Sequence, residues 1–299
     1  MNQEIQALKQ NKTWEVVDLP PGVKPIGCKW VFRIKRKPDG TIDKYKARLV
    51  CKHTKSLYGL KQASRQRKKE FTNQISGYGF VQSSHDHCLF VYTHDEVLMA
   101  LVIYVDDILL TGNSEGHMVQ VKQFLHDKFA IKDLGNAKYF LDLEIDRTTS
   151  SIHLTQHKYI WSIVVDLYLE NATAAHSPLS SDWTSKDPNS PLLEEASLYR
   201  KLVGRLLYLN FTRPDITYSV HHLSQFMQAP TVSHYNVALH IVKYIKGTPH
   251  HGLFYSADNN LTLQAYCDAD WPKYPIIRRS VSGYCVFLGT SLVSWKSKK

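Results

Sequence analysis

The sequence predicts an α+β protein, and three observations carry that expectation. Short stretches alternate apolar and polar residues, as half-buried strands do. Longer stretches repeat apolar residues at helical spacing. The two kinds occur together without strict alternation along the chain. Met1–Asn11 reads as a short polar helix. Trp30–Lys35 alternates apolar and basic residues, which suits a strand, and Lys37-Pro38-Asp39-Gly40 is a hairpin turn signal. Thr41–Cys51 is then the return strand. Lys61–Ile75 has helical composition, and Leu89–Tyr92 and Leu98–Tyr104 are strands. Ser114 can cap a helix running to about Phe129, with Met118, Val121, Phe124, Leu125 and Phe129 inward. Tyr139–Arg147 and Ser151–Thr155 pair as a hairpin. Ser177–Pro191, rich in Ser, Pro, Asp and Asn, is the best linker. Tyr199–Leu209, Ile216–Met227 and His234–Lys246 read as helices, and strands resume from Leu261. There is no internal repeat.

The 299 residues are 43% hydrophobic and 21% charged, enough for one large or two to three small cored domains. The longest apolar run, Leu98–Tyr104, is far too short to cross a membrane. Met1–Leu19 is polar and carries acids, unlike a signal peptide. An intracellular protein, cytoplasmic or nuclear and not secreted, is expected. Cysteines 28, 51, 88, 267 and 285 show no C-x-x-C spacing and are odd in number, which fits reduced thiols. His85-Asp86-His87, His221-His222 and His250-His251 lack a partner pair at zinc-ligand spacing, so zinc is not expected. The formal charge of +10 points to a polyanionic partner, because clustered cations bind phosphates by counterion release. A merely soluble basic protein would show the same charge.

Chemistry concentrates at one place. The apolar run Met99–Val105 meets Asp106-Asp107 and resumes at Ile108-Leu109-Leu110. Aspartates are common in turns, so a solvated turn is the plain reading. Yet paired charge at the tip of apolar arms is costly unless something cationic sits there. Two carboxylates on a rigid turn are also what a two-Mg²⁺ phosphoryl-transfer site needs, because these hard ions take oxygen ligands.

Tyr104-Val105-Asp106-Asp107 in such a strand-turn-strand resembles the catalytic turn of reverse transcriptases. Trp30-Val-Phe-Arg-Ile-Lys-Arg36, Tyr45-Lys-Ala-Arg-Leu-Val50 and Ser56-Leu-Tyr-Gly-Leu-Lys-Gln-Ala-Ser-Arg65 resemble the copia-type retrotransposon Pol polyprotein. So do Tyr139-Phe-Leu-Asp-Leu-Glu-Ile145, Leu202-Val-Gly-Arg-Leu-Leu-Tyr208, Thr212-Arg-Pro-Asp-Ile216 and Asp268-Ala-Asp-Trp271, all in the family's order. The resemblance runs from about Thr13 to Lys299.

It implies a right-hand polymerase with palm and fingers, then a helical connection and an incomplete ribonuclease H-like β/α unit. The implied organisation is 1–53 fingers, 54–176 palm with primer-grip and thumb-like region, 177–191 linker, 192–256 connection and 257–299 truncated ribonuclease H-like domain. Asp106 would be a primary metal ligand with Asp107 its partner, and Asp268 the first ribonuclease H carboxylate. The metal would be Mg²⁺, with Mn²⁺ as substitute. Tyr104 would lie near the primer end, Gly59 under the incoming nucleotide, and Lys46 and Arg48 on the triphosphate. Partners would be an RNA/DNA template-primer and deoxynucleotide triphosphates. Plain readings stand beside these: an ordinary basic strand face for Lys46 and Arg48, a helix-leading turn for Gly59, a strand-end acid for Asp268.

Three departures from the family pattern stand out. Asp142 occupies a usual glycine position. With Glu144 and Asp146 it would share one strand face by the period of two, where a solvated edge is favoured over a metal cluster. Trp271-Pro-Lys-Tyr-Pro-Ile-Ile-Arg278 departs from the small, glycine-bearing stretch that follows the tryptophan in the family. Most important, Arg48-Leu-Val-Cys-Lys-His53 runs straight into Thr54-Lys-Ser-Leu-Tyr58. In the family, several dozen residues intervene and carry a Leu-Asp-Val segment with the third polymerase carboxylate. The family's later ribonuclease H acids are expected beyond Lys299.

Overall fold

A computed structural model describes residues 6, 28–36, 42–51, 63–105, 107–129, 131–180, 189–270 and 281–298. The chain divides into two compact units, Met1–Asp133 and Leu134–Lys299. The expected helix at Met1–Asn11 lies outside the described residues except for Gln6, which is helical, and so does the turn at Lys37–Gly40.

The first unit holds two antiparallel sheets. Strands β1 (Cys28–Arg36) and β2 (Ile42–Cys51) pair in a hairpin with Cys28 opposite Cys51. The register sets Trp30, Phe32 and Ile34 opposite Leu49, Ala47 and Tyr45. Val31, Arg33 and Lys35 stand opposite Arg48, Lys46 and Lys44. The period of two therefore sorts these positions into an apolar set and a set that is cationic apart from Val31.

The second sheet has the order β3-β4-β5-β6. It is built from β3 (Val81–Gln82), β4 (Leu89–His94), β5 (Val97–Tyr104) and β6 (Asp107–Gly112). Helices α1 (Ala63–Tyr78) and α2 (Glu115–Phe129) complete the described part of the unit. In β5 the alternate residues Met99, Leu101 and Ile103 are buried, joining Phe90, Phe71, Ile75, Phe80, Val121 and Leu125 in one core. Each such fully buried large aliphatic side chain contributes roughly 1.5–3 kcal/mol of transfer free energy.

Helix α1 ends in a Schellman motif. Phe80 N–H donates to the Ile75 carbonyl and Gly79 N–H to that of Ser76, both at 3.1 Å. Gly79 sits at φ +117, a value glycine reaches without strain. Phe80 and Ile75 then meet in the core, completing the hydrophobic contact of the motif. Helix α2 begins after Ser114 as expected, buries Val121 and Leu125, and packs Met118, Phe124 and Phe129 against the same core.

The second unit carries a four-stranded sheet of order β10-β9-β8-β7 and a three-stranded antiparallel sheet β11-β12-β13. Their strands are β7 (Tyr139–Phe140), β8 (Leu143–Arg147), β9 (Ser151–Thr155), β10 (Leu253–Ser256), β11 (Leu263–Asp270), β12 (Val281–Leu288) and β13 (Ser291–Lys298). Helices α3 (His157–Asp166), α4 (Ala196–Leu209), α5 (Thr217–Leu223) and α6 (Val232–Gly247) share a core. That core includes Ile160, Ile163, Tyr199, Leu206, Val220 and Ile241, each fully buried. Helix α6 opens on a capping box: Thr231 Oγ1 accepts from His234 N–H, and His234 Nδ1 accepts from Thr231 N–H.

Two sequence expectations need correction. Tyr139–Arg147 is not one strand. Leu141 and Asp142 take φ of +48 and +58 and form a two-residue turn joining β7 to β8. Asp142 therefore does not share a strand face with Glu144 and Asp146. A glycine fits this position because both turn residues need positive φ, and aspartate is among the few others that tolerate it. Ile216–Met227 is not one helix either. A 3-10 turn (Pro214–Ile216), α5 and a second 3-10 turn (Ser224–Phe226) replace it.

Candidate active site

The turn between β5 and β6 is closed by Tyr104 opposite Asp107, leaving Val105 and Asp106 as its two-residue loop. Asp106 lies outside the described residues. Below the turn, Ile103 pairs with Ile108 and Leu101 with Leu110, and these side chains pack on the core. Buried arms thus hold Asp107, which is exposed. Tyr104 and Val105 are exposed as well. Val105 has φ +53, a conformation that a β-branched residue adopts only under strain. Such strain persists where the surroundings impose it and is concentrated at functional sites.

The other sequence candidates are placed as follows. Lys46 and Arg48 lie on β2, opposite Arg33 and Val31, in a sheet separate from that of the turn. Gly59 lies outside the described residues. Asp268 belongs to the second unit, on β11 opposite Gly283. Its Oδ1 accepts the Ala269 N–H at 2.8 Å. It borders an open cavity of about 440 Å³ whose walls include Asp215, Tyr218, Tyr266 and Trp295.

Among the described residues, no three His, Cys, Asp or Glu side chains form a metal-holding cluster. Two of the candidate histidines have other partners. His250 stacks on His157 at 4.6 Å between ring centres, and His221 Nδ1 bonds the Ser297 carbonyl. Glu144, a candidate in the acidic strand, instead accepts the Lys158 N–H at 2.6 Å at the start of α3.

Two connections were not foreseen. Tyr208 Oη donates to the Leu141 carbonyl at 2.5 Å, tying α4 to the β7–β8 turn, while Tyr139 Oη donates to Asp142 at 2.7 Å. Burial first, then the Asp142 carboxylate, push the Tyr139 phenol far above its usual range. The second is a buried ion pair. Arg213 donates from Nε and Nη2 to both Asp215 oxygens, at 2.6–3.2 Å, and from Nη1 and Nη2 to Thr248 O and Oγ1. Asp215 also accepts from Tyr244 Oη at 2.9 Å. Burial raises the Asp215 pKa, but Arg213 and Tyr244 outweigh it, and the carboxyl stays below its usual range. The sequence signal was an Arg and an Asp two residues apart around Pro214.

Comparison with known proteins gives the class of chain that carries this turn on an α+β scaffold. The family model "Reverse transcriptase (RNA-dependent DNA polymerase)" matches residues 11–54 and 49–181, and the chain belongs to that family. Within it, the chain is of the copia-type retrotransposon Pol kind. It is 33% identical over 374 aligned positions to the "Retrovirus-related Pol polyprotein from transposon RE1" of Arabidopsis thaliana, covering all of this chain and 26% of that protein. It is 27% identical over 382 positions to the corresponding polyprotein from transposon TNT 1-94 of Nicotiana tabacum, covering all of this chain and 29% of that one. An uncharacterized mitochondrial protein of Arabidopsis thaliana is 38% identical over 206 positions, covering 67% of this chain and 83% of its own length. The chain thus spans little more than a quarter of the polyproteins it matches. No solved structure matches it.

These matches also bear on the junction at His53–Thr54. An alignment of 374 positions that includes all 299 residues leaves about 75 positions without a counterpart in this chain. The two family-model pieces meet at residues 49–54. No helix among the described residues is long and apolar enough to cross a membrane.

Proposed function

We propose that this chain is by descent the RNA-directed DNA polymerase of a copia-type retrotransposon, and that this copy is catalytically inactive. The observation that carries the reading is the Tyr104–Asp107 turn, strained at Val105 and held by buried arms. In this reading Asp106 and Asp107 are the surviving polymerase carboxylates and Asp268 is the first ribonuclease H carboxylate. Lys46, Arg48, Gly59 and Tyr104 belong to the nucleotide site. Residues 1–53 derive from fingers, 54–176 from palm and primer grip, 192–256 from the connection after the 177–191 linker, and 257–299 from a ribonuclease H-like unit.

The donor set does not fit a pair of divalent ions. Two adjacent aspartates offer too few oxygens to hold two Mg²⁺ or Mn²⁺ against water. The third carboxylate of the family falls in the stretch that the family carries after His53. Losing one essential ligand removes several kcal/mol of transition-state stabilisation, each ~1.4 kcal/mol being tenfold in rate. What the chain keeps is its charge of +10, which favours a non-catalytic role on a nucleic-acid duplex.

A primer-extension assay with Mg²⁺ or Mn²⁺ tests the reading. No synthesis above an Asp106→Ala/Asp107→Ala control is expected, with RNA–DNA duplex binding that weakens steeply with salt. Extension abolished by Asp106→Ala refutes inactivity, and salt-independent binding refutes the duplex role. Sequencing the genomic DNA at the His53 and Thr54 codons separates a true deletion from a gene model that skipped coding sequence. An in-frame segment there would restore the active-enzyme reading.

A further inference from the structure

The β3–β6 sheet is apolar on both faces, yet among the described residues helices cover only one. Phe90, Met99, Leu101 and Ile103, with Ile108 and Leu110, point into the core beneath α1 and α2. The alternate set stands on the opposite face. Val91 pairs with Ala100 and Ala100 with Thr111, while Leu89 pairs with Val102 and Val102 with Leu109. Leu98 opposite Thr93 and Val81 opposite Val91 extend the patch. None of these side chains belongs to either packed core. Leu98 is 53% exposed and Val81 70%.

Three strands about 4.8 Å apart and six to eight residues long, with the two-residue β3 beside them, make a face of roughly 400 Å². Apolar patches of that scale are often functional, and here Leu89, Val91, Ala100, Val102 and Leu109 are half-buried beside the exposed Leu98 and Val81. Strand β6 also pairs only with β5 among the described residues, which leaves its outer backbone edge open.

We propose that this face and the β6 edge form an acceptor surface for a polypeptide segment supplied in trans by a longer chain of the same family. The segment is the one that relatives carry between the two matched pieces and this chain lacks. Three observations select that occupant. The alignment leaves about 75 positions of the relatives without a counterpart, and the matched pieces meet inside the same unit as the uncovered face. Some 75 residues are ample to lay a strand along β6 and cover roughly 400 Å² of sheet.

The chemistry of the face excludes the main alternatives. Among the described residues it has no cation, so a polyanion gains nothing there, and Asp107 at its tip repels one. A second copy of this chain pairing through β6 would close both edges but bring a second uncovered apolar face. Strand addition supplies both missing interactions at once: ladder hydrogen bonds along β6 and alternate side chains against Val102 and Leu109. The proposal rests on family membership and does not require polymerase activity.

The test mixes the full chain with a carrier-fused fragment of the transposon RE1 polyprotein that corresponds to the unmatched stretch. Expected are a one-to-one complex by size exclusion with light scattering, and amide exchange at residues 107–112 slowed at least tenfold. Leu98→Lys and Val81→Lys, both at exposed positions and checked for folding by circular dichroism, are expected to weaken binding at least tenfold. Val119→Lys, exposed on α2, is expected to leave it unchanged. Three results overturn the proposal: no complex, a complex indifferent to both face variants, or equal protection of 107–112 by self-association of the chain alone.

Discussion

Replacing Arg213 by methionine removes the pin that joins the turn after α4 to the end of α6, while roughly conserving volume. The Arg213 side chain is 1% exposed and that of Asp215 32%. Breaking a buried pair from one side costs about 3–5 kcal/mol, because the remaining charge loses its partner without regaining water. Asp215 keeps the Tyr244 hydroxyl and some solvent, which lowers the expected cost to about 2–4 kcal/mol. That corresponds to a ~30- to 1,000-fold larger opening constant at ~1.4 kcal/mol per decade.

Hydrogen exchange of α5 and α6 amides in the full chain reads this directly. Arg213→Lys is expected to recover only part, since an ammonium cannot reproduce the forked contacts. The pH dependence has a definite sign. The folded Asp215 pKa is depressed, so its stabilisation is present above the unfolded value of about 3.9 and is lost as pH falls through the lower folded value. The gap between wild type and Arg213→Met should therefore narrow as the pH falls into acid, and not as it rises. Unchanged exchange in α5 and α6, or a gap that narrows on raising the pH, would refute the reasoning.

Three further outcomes are expected. Asp142→Gly relieves a left-handed backbone position and should raise stability by up to about 1 kcal/mol. It should also let Tyr139 ionise at lower pH, followed by tyrosinate absorbance, because the Asp142 carboxylate is among the groups that hold the phenol up. Glu144→Ala removes the acceptor for the Lys158 N–H at the start of α3 and should cost about 0.5–2 kcal/mol, seen as faster exchange in the first turn of that helix. Leu206→Ala, at a fully buried position among four helices, should cost about 2–5 kcal/mol in denaturant unfolding monitored on the second unit.

Legibility in this chain follows the range of the interaction that fixes each element. The β1–β2 hairpin, β5 and α2 were readable because their periodicity is local and their faces are clean. Strand β10 was not, because its partner β9 lies about a hundred residues earlier in the chain. Helix α3 was missed for a related reason. Gln156 provides no side-chain cap, and Glu144 of β8 supplies one from fourteen residues away. The β7–β8 turn was hidden because Leu141-Asp142 has neither the glycine nor the asparagine that announces a two-residue hairpin.

The Tyr104–Asp107 turn was readable for the opposite reason: its carboxylates are adjacent in sequence and its arms are continuous apolar runs. What a motif cannot display is the third carboxylate that must come from another strand. Two observations support the proposed absence of a covering segment. One is the set of about 75 alignment positions that this chain does not fill. The other is physical: a sheet whose residues alternate apolar on both faces specifies two covers, and the described residues provide one. A random point-by-point decay of the sequence would have placed polar residues on the second face as readily as on the first. Val81, Leu89, Val91, Leu98, Val102 and Leu109 are apolar there, as the proposed acceptor face requires.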